Sequence, residues 1–300
     1  MYNEEQKLRF LDTVESASSR KYIIGMFNRF EKHETASAKD FSMWSADEIY
    51  NMICDLYILD YGTIKQYLSS LTSYRDYIGA NLEQLNAQDI DLTPAIKQAL
   101  VPSTTVLKNE MNKILDPSQG NYMRAAICFA WLGIDAHVMP LIKNTAIDFE
   151  AHIIHDSECG VHIIDVDDNI IQVLKEYSEV KEAIRGNGRA YPLYNGRVIR
   201  IMAGANSSKV PEVIKVSSIY TEFSTLKKKY EDKWHRQTPL EYANVLRSGG
   251  LYRLYQLEKA GVDIFSGKND ELLQATYAAP GKLFDIRSLY RQYKIAFDLD

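Results

Sequence analysis

The sequence predicts a mainly α protein with a small β-sheet, and three observations support that fold class. Apolar residues recur at helical spacing along most of the 300-residue chain. Two segments rich in Ile and Val, residues 146–155 and 160–166, flank a polar turn and predict a β-hairpin. A polar stretch punctuated by proline separates the N-terminal third from the rest, and the chain is long enough to bury two hydrophobic cores.

The N-terminal domain is predicted to cover residues 1–85 and to form a small helical bundle. An amphipathic pattern runs over residues 22–30, and Ser45 with Glu48 has the spacing of a capping box at the start of the next helix. Residues 63–78 predict a third helix, whose tyrosines recur at helical spacing and are expected in the core. The other faces of that helix carry Thr63, Lys65, Gln66 and Ser69.

The second domain is predicted to cover residues 106–300, after a linker at residues 86–105. The linker prediction rests on a polar composition with Pro94 and Pro102. An apolar helix should end at Gly133, which suits a left-handed C-cap. Beyond the hairpin, helical patterns cover residues 168–177, 217–234, 251–259 and 286–297, and residues 191–202 read as extended.

Composition favours the cytoplasm and gives no membrane partner. No apolar run approaches the roughly 20 residues of a membrane span, and the N-terminal sequence MYNEEQKLRF is too polar for a signal peptide. The three cysteines are widely spaced and give no disulfide framework.

Four potential metal ligands lie close in sequence: His152, His155, Cys159 and His162. Positions 152 and 155 differ by an odd number, so on a strand their side chains point to opposite faces. This arrangement disfavours a shared tetrahedral zinc site. We therefore expect no metal site and no cofactor.

The charge of the chain is unevenly distributed. The net charge is −5, yet residues 185–236 carry 11 basic against 4 acidic residues. Phosphate binding depends on where charges lie rather than on their sum. The basic stretch therefore predicts a polyanionic partner.

Two distant segments carry a family resemblance. Residues 121–149 read NYMRAAICFAWLGIDAHVMPLIKNTAIDF, and residues 238–264 read TPLEYANVLRSGGLYRLYQLEKAGVDI. Their apolar positions and glycines resemble the catalytic domain of tyrosine recombinases (phage integrases). The order of elements along nearly the whole chain is similar to that family too. The resemblance implies a helical core-binding domain and a catalytic-like domain that close around duplex DNA.

The positions that match the family's catalytic residues mostly hold other residues. Asp135, in GIDAHV, occupies the position of the first arginine, and Asn244, in NVLR, that of the histidine; Arg247 matches the second arginine. The hairpin turn HDSECG contains no lysine. The nucleophile position falls at Tyr290, with Tyr293 and Tyr277 as alternatives.

These departures predict a protein without catalysis. A phosphodiester attacked by a phenol develops negative charge, which the family stabilises with two guanidinium groups and a lysine. Losing one such contact typically costs on the order of 10²–10³ in rate, and a carboxylate at position 135 would repel the phosphate. The alternatives are an active integrase performing strand exchange, with Arg124 as the displaced arginine, and a protein-interaction module that no longer binds DNA.

The chain as a whole is similar to the integrase-like master repressors of SPβ-type temperate phages of Bacillus. That resemblance implies a sequence-specific double-stranded DNA-binding repressor of lytic genes, which maintains lysogeny in a bacterial cytoplasm in association with the nucleoid. Phage operator DNA and a phage-encoded antirepressor are the implied partners.

The predicted DNA contacts lie in three regions. Thr63, Lys65, Gln66 and Ser69 are expected to face a major groove. Two basic groups and a retained arginine are expected to contact phosphate: Arg189, Arg197 and Arg200 with Arg185; Lys227, Lys228, Lys229 and Lys233 with Arg236; and Arg247.

Overall fold

The computed structural model describes residues 1–80, 83–184, 188–193, 196–200, 213–234 and 237–299. These residues are mainly α-helical with two small antiparallel sheets, which confirms the predicted fold class. Two compact units are present. Unit 1 is Met1–Lys97 with Phe284–Asp300, and unit 2 is Gln98–Leu283. None of the helices in these described ranges is long and apolar enough to cross a membrane.

The helices and strands of the described residues lie in the following order along the chain. The helices are α1 (Glu4–Asp12), α2 (Ala17–Ser37), α3 (Ala46–Asp55), α4 (Tyr61–Tyr77), α5 (Thr93–Ala99), α6 (Thr104–Asn112), α7 (Met123–Trp131), α8 (Asp168–Glu179), α9 (Val216–Trp234), α10 (Tyr242–Lys259), α11 (Asp270–Tyr277) and α12 (Leu283–Ala296). The strands are β1 (Ile147–Asp148), β2 (Ile153–Asp156), β3 (Val161–Ile163), β4 (Glu182–Ile184) and β5 (Ala190–Pro192).

Side-chain caps define where the helices of unit 1 begin. The predicted capping box of α3 is present: the Ser45 side chain accepts from the backbone N–H of Glu48, and the Glu48 carboxylate accepts from the backbone N–H of Ser45. Asp60 caps α4 by accepting from the backbone N–H of Thr63 at 3.1 Å. Such caps satisfy N–H groups that have no partner within the helix.

The core of unit 1 is aromatic and contains a buried ion pair. Tyr74 packs edge-on against Phe27, with ring centroids 5.5 Å apart, so the tyrosine-bearing face of α4 is in the core as predicted. The ammonium group of Lys7 lies 2.6 Å from a carboxylate oxygen of Glu34, and both side chains are fully buried. Burial raises the pKa of Glu34.

The last helix groups with unit 1, whereas the predicted second domain extended to residue 300. The amide of Gln292 explains part of this grouping: its nitrogen donates to Tyr61 Oη at 2.9 Å and to the carbonyl of Ile90 at 3.2 Å, and its oxygen accepts from the backbone N–H of Leu92 at 2.7 Å. Part of the predicted linker is therefore packed structure, and the boundary between the units lies within it.

Unit 2 is built around α7 and α10. Every residue of α7 is buried. The helix is followed by Gly133 with φ 83°, the left-handed conformation that the sequence predicts. Gly249 allows α10 to approach closely, because a Cβ atom added there would lie 1.9 Å from the carbonyl oxygen of Trp131.

The predicted hairpin is present as β2 and β3, antiparallel, with β1 paired to the other edge of β2. The predicted first strand is interrupted, because His152 takes a φ of 55° in the turn between β1 and β2. A second sheet, β4 with β5, differs from the single sheet that we predicted.

Candidate nucleic-acid interface

Asp135, which is expected to match the first arginine of the resembling family, places a carboxylate on the surface. The side chain is exposed, and Oδ1 accepts from the backbone N–H of His137 at 2.7 Å. Its backbone carbonyl accepts from the N–H groups of Val138 and Met139. Asp135 therefore stabilises the turn after α7 and leaves a negative charge facing solvent.

Asn244 and Arg247 lie on α10 in different environments. Asn244 is buried, and its amide nitrogen donates to the carbonyl of Thr238 at 3.4 Å. Arg247 is half-buried, and its side chain makes no hydrogen bond or ion pair with any residue in the described ranges. Asn244 is thus a packing residue, while the guanidinium of Arg247 remains available for an anion.

The hairpin turn has a lysine beside it that sequence reasoning missed. Lys143 lies outside the hairpin, yet its ammonium group pairs with Glu158 in the turn at 2.5 Å. The backbone N–H of Lys143 also donates to the carboxylate of Asp156 at 3.1 Å. The charge of Lys143 is therefore neutralised locally. No local sequence signal links residues 15 positions apart.

The three candidate tyrosines are all buried. Tyr290 and Tyr293 are fully buried on α12, in unit 1. Tyr277 is 2% exposed on α11, in unit 2, and packs against Gly250 of α10, where an added Cβ would meet its carbonyl oxygen at 2.2 Å. Each of these side chains is therefore held in a core rather than presented at the surface.

Arg124, the alternative catalytic arginine, is a structural residue. Its side chain is fully buried, and its guanidinium donates to Asn112 Oδ1 at 2.6 Å, to the carbonyl of Leu115 and to Glu176 Oε2 at 3.1 Å. This network ties α7 to α6 and α8. Such a group cannot reach a phosphate without breaking the core.

Arg253 is a second arginine of α10 that the sequence analysis did not select. Its guanidinium donates to the carbonyls of Trp131 and Thr276, at the C-terminal ends of α7 and α11. Cations at helix C-termini are stabilised by unpaired carbonyls and the helix dipole. Burial lowers the pKa of Arg253 to about 10. Together with Asp135, it lines a pocket of about 620 Å³ in unit 2.

Most of the lysines on the basic face of α9 are exposed, and one is in an ion pair. Its apolar residues Ile219, Phe223, Leu226 and Tyr230 are buried at helical spacing. Of the predicted phosphate ligands, Lys228, Lys229 and Lys233 are exposed. Lys227 differs, because its ammonium group pairs with Glu241 at 2.9 Å. Arg236 lies outside the described residues.

The second basic group divides into surface and core residues. Arg189 is exposed, and Arg197 donates to the carbonyl of Leu141. Arg200 was predicted to contact phosphate, but it is 4% exposed, stacks on the ring of Tyr177 at 4.4 Å and donates to the carbonyls of Tyr177 and Val180. The structure gives Arg200 a structural role instead. Arg185 lies outside the described residues.

The polar face of α4 forms one wall of a groove in unit 1. The groove has a volume of about 500 Å³ and is lined by Ser18, Ser19, Tyr22 and Ile23 of α2 and by Lys65, Gln66, Ser69 and Ser70 of α4. Lys65, Gln66 and Ser69 are exposed, and Thr63 is half-exposed. The ammonium group of Lys65 pairs with Asp285 of α12 at 2.9 Å. The groove therefore presents amide and hydroxyl groups beside a partly neutralised cation.

The described residues form a helical N-terminal bundle and a second unit of helices with two small sheets. Residues 1–80 match the family model described as "MrpR, N-terminal core-binding domain". This match supports the prediction that the N-terminal helical bundle is a core-binding domain.

Solved structures with recombinase folds are similar to the chain at low identity. XerA recombinase has a TM-score of 0.39 at 12% identity, over 96% of this chain and 93% of that one. The Tn1549 transposon integrase with a circular intermediate DNA has a TM-score of 0.37 at 13% identity, over 83% and 82%. The same integrase with transposon right end DNA has 0.36 at 13%, over 95% and 92%. Comparison with curated proteins gave no match.

Proposed function

We propose that this chain is a sequence-specific double-stranded DNA-binding repressor of a temperate phage, built on a recombinase-like scaffold that does not cut DNA. In this proposal it occupies an operator, keeps lytic genes silent and so maintains lysogeny. The core-binding match over residues 1–80 supports DNA as the partner.

The exposed carboxylate of Asp135 carries the proposal. In strand transfer, the equivalent position must attract the phosphate whose charge grows in the transition state. A solvent-facing anion without an ion pair in the described ranges would oppose that charge. Arg247 is still available to hold a ground-state phosphate. This combination suits binding and not cleavage.

Affinity should come from exposed cations and specificity from the groove of unit 1. Lys228 and Lys229 are exposed and make no ion pair with any residue in the described part of the chain, so each can release a counterion on contacting phosphate. Gln66 can hydrogen-bond to base edges in a major groove.

A salt titration of operator binding tests the phosphate contacts. Replacing Lys228 and Lys229 by Gln should weaken binding to all sequences and lower the slope of log K against log salt by about 2, because each lost contact removes about 0.9. The control replaces the exposed Lys32 and Lys268 by Gln. An unchanged slope in the Lys228→Gln/Lys229→Gln variant would remove α9 from the interface.

A suicide DNA substrate tests the absence of cleavage. We expect retained DNA in a gel shift with phage genomic fragments, and no covalent adduct. A covalent adduct that is lost on Tyr290→Phe would instead identify an active recombinase. Failure to retain any genomic fragment would favour the protein-interaction module.

A further inference from the structure

Two histidines face each other across the hairpin. His155 of β2 and His162 of β3 are direct partners in the strand register, and both side chains are exposed. Their Nδ1 atoms are 3.2 Å apart, and the ring planes are nearly perpendicular, at 88°. The backbone pairing of the two strands therefore holds two imidazole nitrogens close together.

We propose that His155 and His162 form a bidentate site for a divalent transition-metal ion of the Zn²⁺, Ni²⁺ and Cu²⁺ group. Imidazole nitrogens bind Zn²⁺ at roughly 2.0–2.1 Å. Two nitrogens 3.2 Å apart then subtend about 100° at the metal, close to the tetrahedral angle of about 109°. Chelation would replace the hydrogen bond that the two Nδ1 atoms share in the structure.

Protein supplies two ligands to this site, and water completes the coordination shell. The described ranges contain no group of three or more His, Cys, Asp and Glu residues that could hold a metal. Neighbouring carboxylates are engaged elsewhere: Asp156 accepts from the backbone N–H groups of Lys143 and Cys159, and Glu158 pairs with the ammonium group of Lys143. Burial raises the pKa of the Cys159 thiol, which disfavours the thiolate that binds metals.

His152 and His155, the pair that disfavours a metal in the sequence, are not the two histidines of this site. On one continuous strand, the side chains of His152 and His155 would point to opposite faces. In the structure, His152 lies in the turn before β2 with a φ of 55°, and its Nδ1 lies 3.2 Å from Asp168. The site forms across strands, between residues seven positions apart.

Isothermal titration of the whole chain with Zn²⁺, Ni²⁺ and Cu²⁺ tests the site. We expect one ion per chain, with Cu²⁺ binding most tightly among the three metals. Loss of an outer-shell partner already costs about 10–100-fold in affinity, so His155→Gln or His162→Gln should weaken binding by at least about tenfold. His137→Gln, at another exposed position of unit 2, is the matched control.

The visible spectrum of bound Co²⁺ provides a second readout, because tetrahedral Co²⁺ absorbs far more strongly than octahedral Co²⁺. Circular dichroism establishes that each variant is folded. The proposal is overturned if the His155→Gln/His162→Gln variant, once shown to be folded, binds Zn²⁺ as tightly as the unmodified chain. It is also overturned if His137→Gln lowers the affinity equally.

Discussion

The carboxylate of Asp135 has two separable properties, a hydrogen-bond acceptor and a negative charge. The acceptor holds the turn through the backbone N–H of His137, and the charge faces solvent. An asparagine retains the acceptor and removes the charge. The two roles can therefore be tested independently at one position.

Asp135→Asn should strengthen DNA binding by about 1.4- to fivefold, because exposed charge interactions are worth roughly 0.2–1 kcal/mol. Fluorescence anisotropy with labelled operator DNA at low salt would measure this change. Asp116→Asn is the control, since Asp116 is also exposed and also accepts from a nearby backbone N–H, that of Ser118. Weaker binding by Asp135→Asn would argue against a DNA phosphate near this turn.

Single residues differed in how far the sequence could predict them. The exposure of Lys228 and Lys229 and the burial of Tyr74 follow from helical spacing, which is local information. The burial of Arg200 against Tyr177 and the pairing of Lys65 with Asp285 do not, because both depend on partners distant in sequence. Charge alone cannot distinguish a phosphate ligand from a core cation.

At the scale of elements, the packing of α10 against α7 depends on backbone proximity at Gly249. The approach leaves no room for a side chain, since an added Cβ would lie 1.9 Å from the carbonyl oxygen of Trp131. Glycine usually weakens a helix by roughly 0.5–1 kcal/mol relative to alanine. At Gly249 the absence of a side chain allows a closer approach to a neighbouring backbone than at any other described glycine.

Gly249→Ala should destabilise unit 2 by about 3 kcal/mol or more, because the helices must separate or the backbone must shift. Urea unfolding followed by circular dichroism would measure the change. Gly25→Ala is the matched control: Gly25 is also helical, and no atom lies within 4 Å of its added Cβ. That variant should gain about 0.5–1 kcal/mol. Equal changes in the free energy of unfolding for Gly249→Ala and Gly25→Ala would contradict the close packing at Gly249.

Elements with strong local signals were predictable from the sequence. The capping box of α3, the left-handed Gly133 and the hairpin of β2 and β3 each rest on a few adjacent residues. The pair of His155 and His162 was missed because it requires the strand register and not only the strand boundaries.

At the scale of the whole molecule, unit 1 is assembled from two distant parts of the chain. Residues 284–300 group with Met1–Lys97, and Gln292 links α12 to residues about 200 positions earlier. The order of elements gave no indication of this grouping, because helical periodicity reports which face is apolar and not what covers it.

Gln292→Ala should destabilise unit 1 by about 1–3 kcal/mol, because the backbone N–H of Leu92 loses its acceptor. Hydrogen exchange would localise the effect: amides in α4 and near Leu92 should exchange faster, whereas those of α7 should not. Gln88→Ala, at an exposed position in the same unit, should leave both sets unchanged. Uniformly faster exchange in both units would contradict this assignment.

Unit 1 therefore needs residues 284–300 as well as Met1–Lys97 to be complete. While the ribosome is still translating, the first 97 residues lack the segment that completes their unit, whereas the second unit is one continuous stretch. A premature stop codon or a frameshift before codon 284 would thus damage the N-terminal unit, although every residue of Met1–Lys97 had been made correctly.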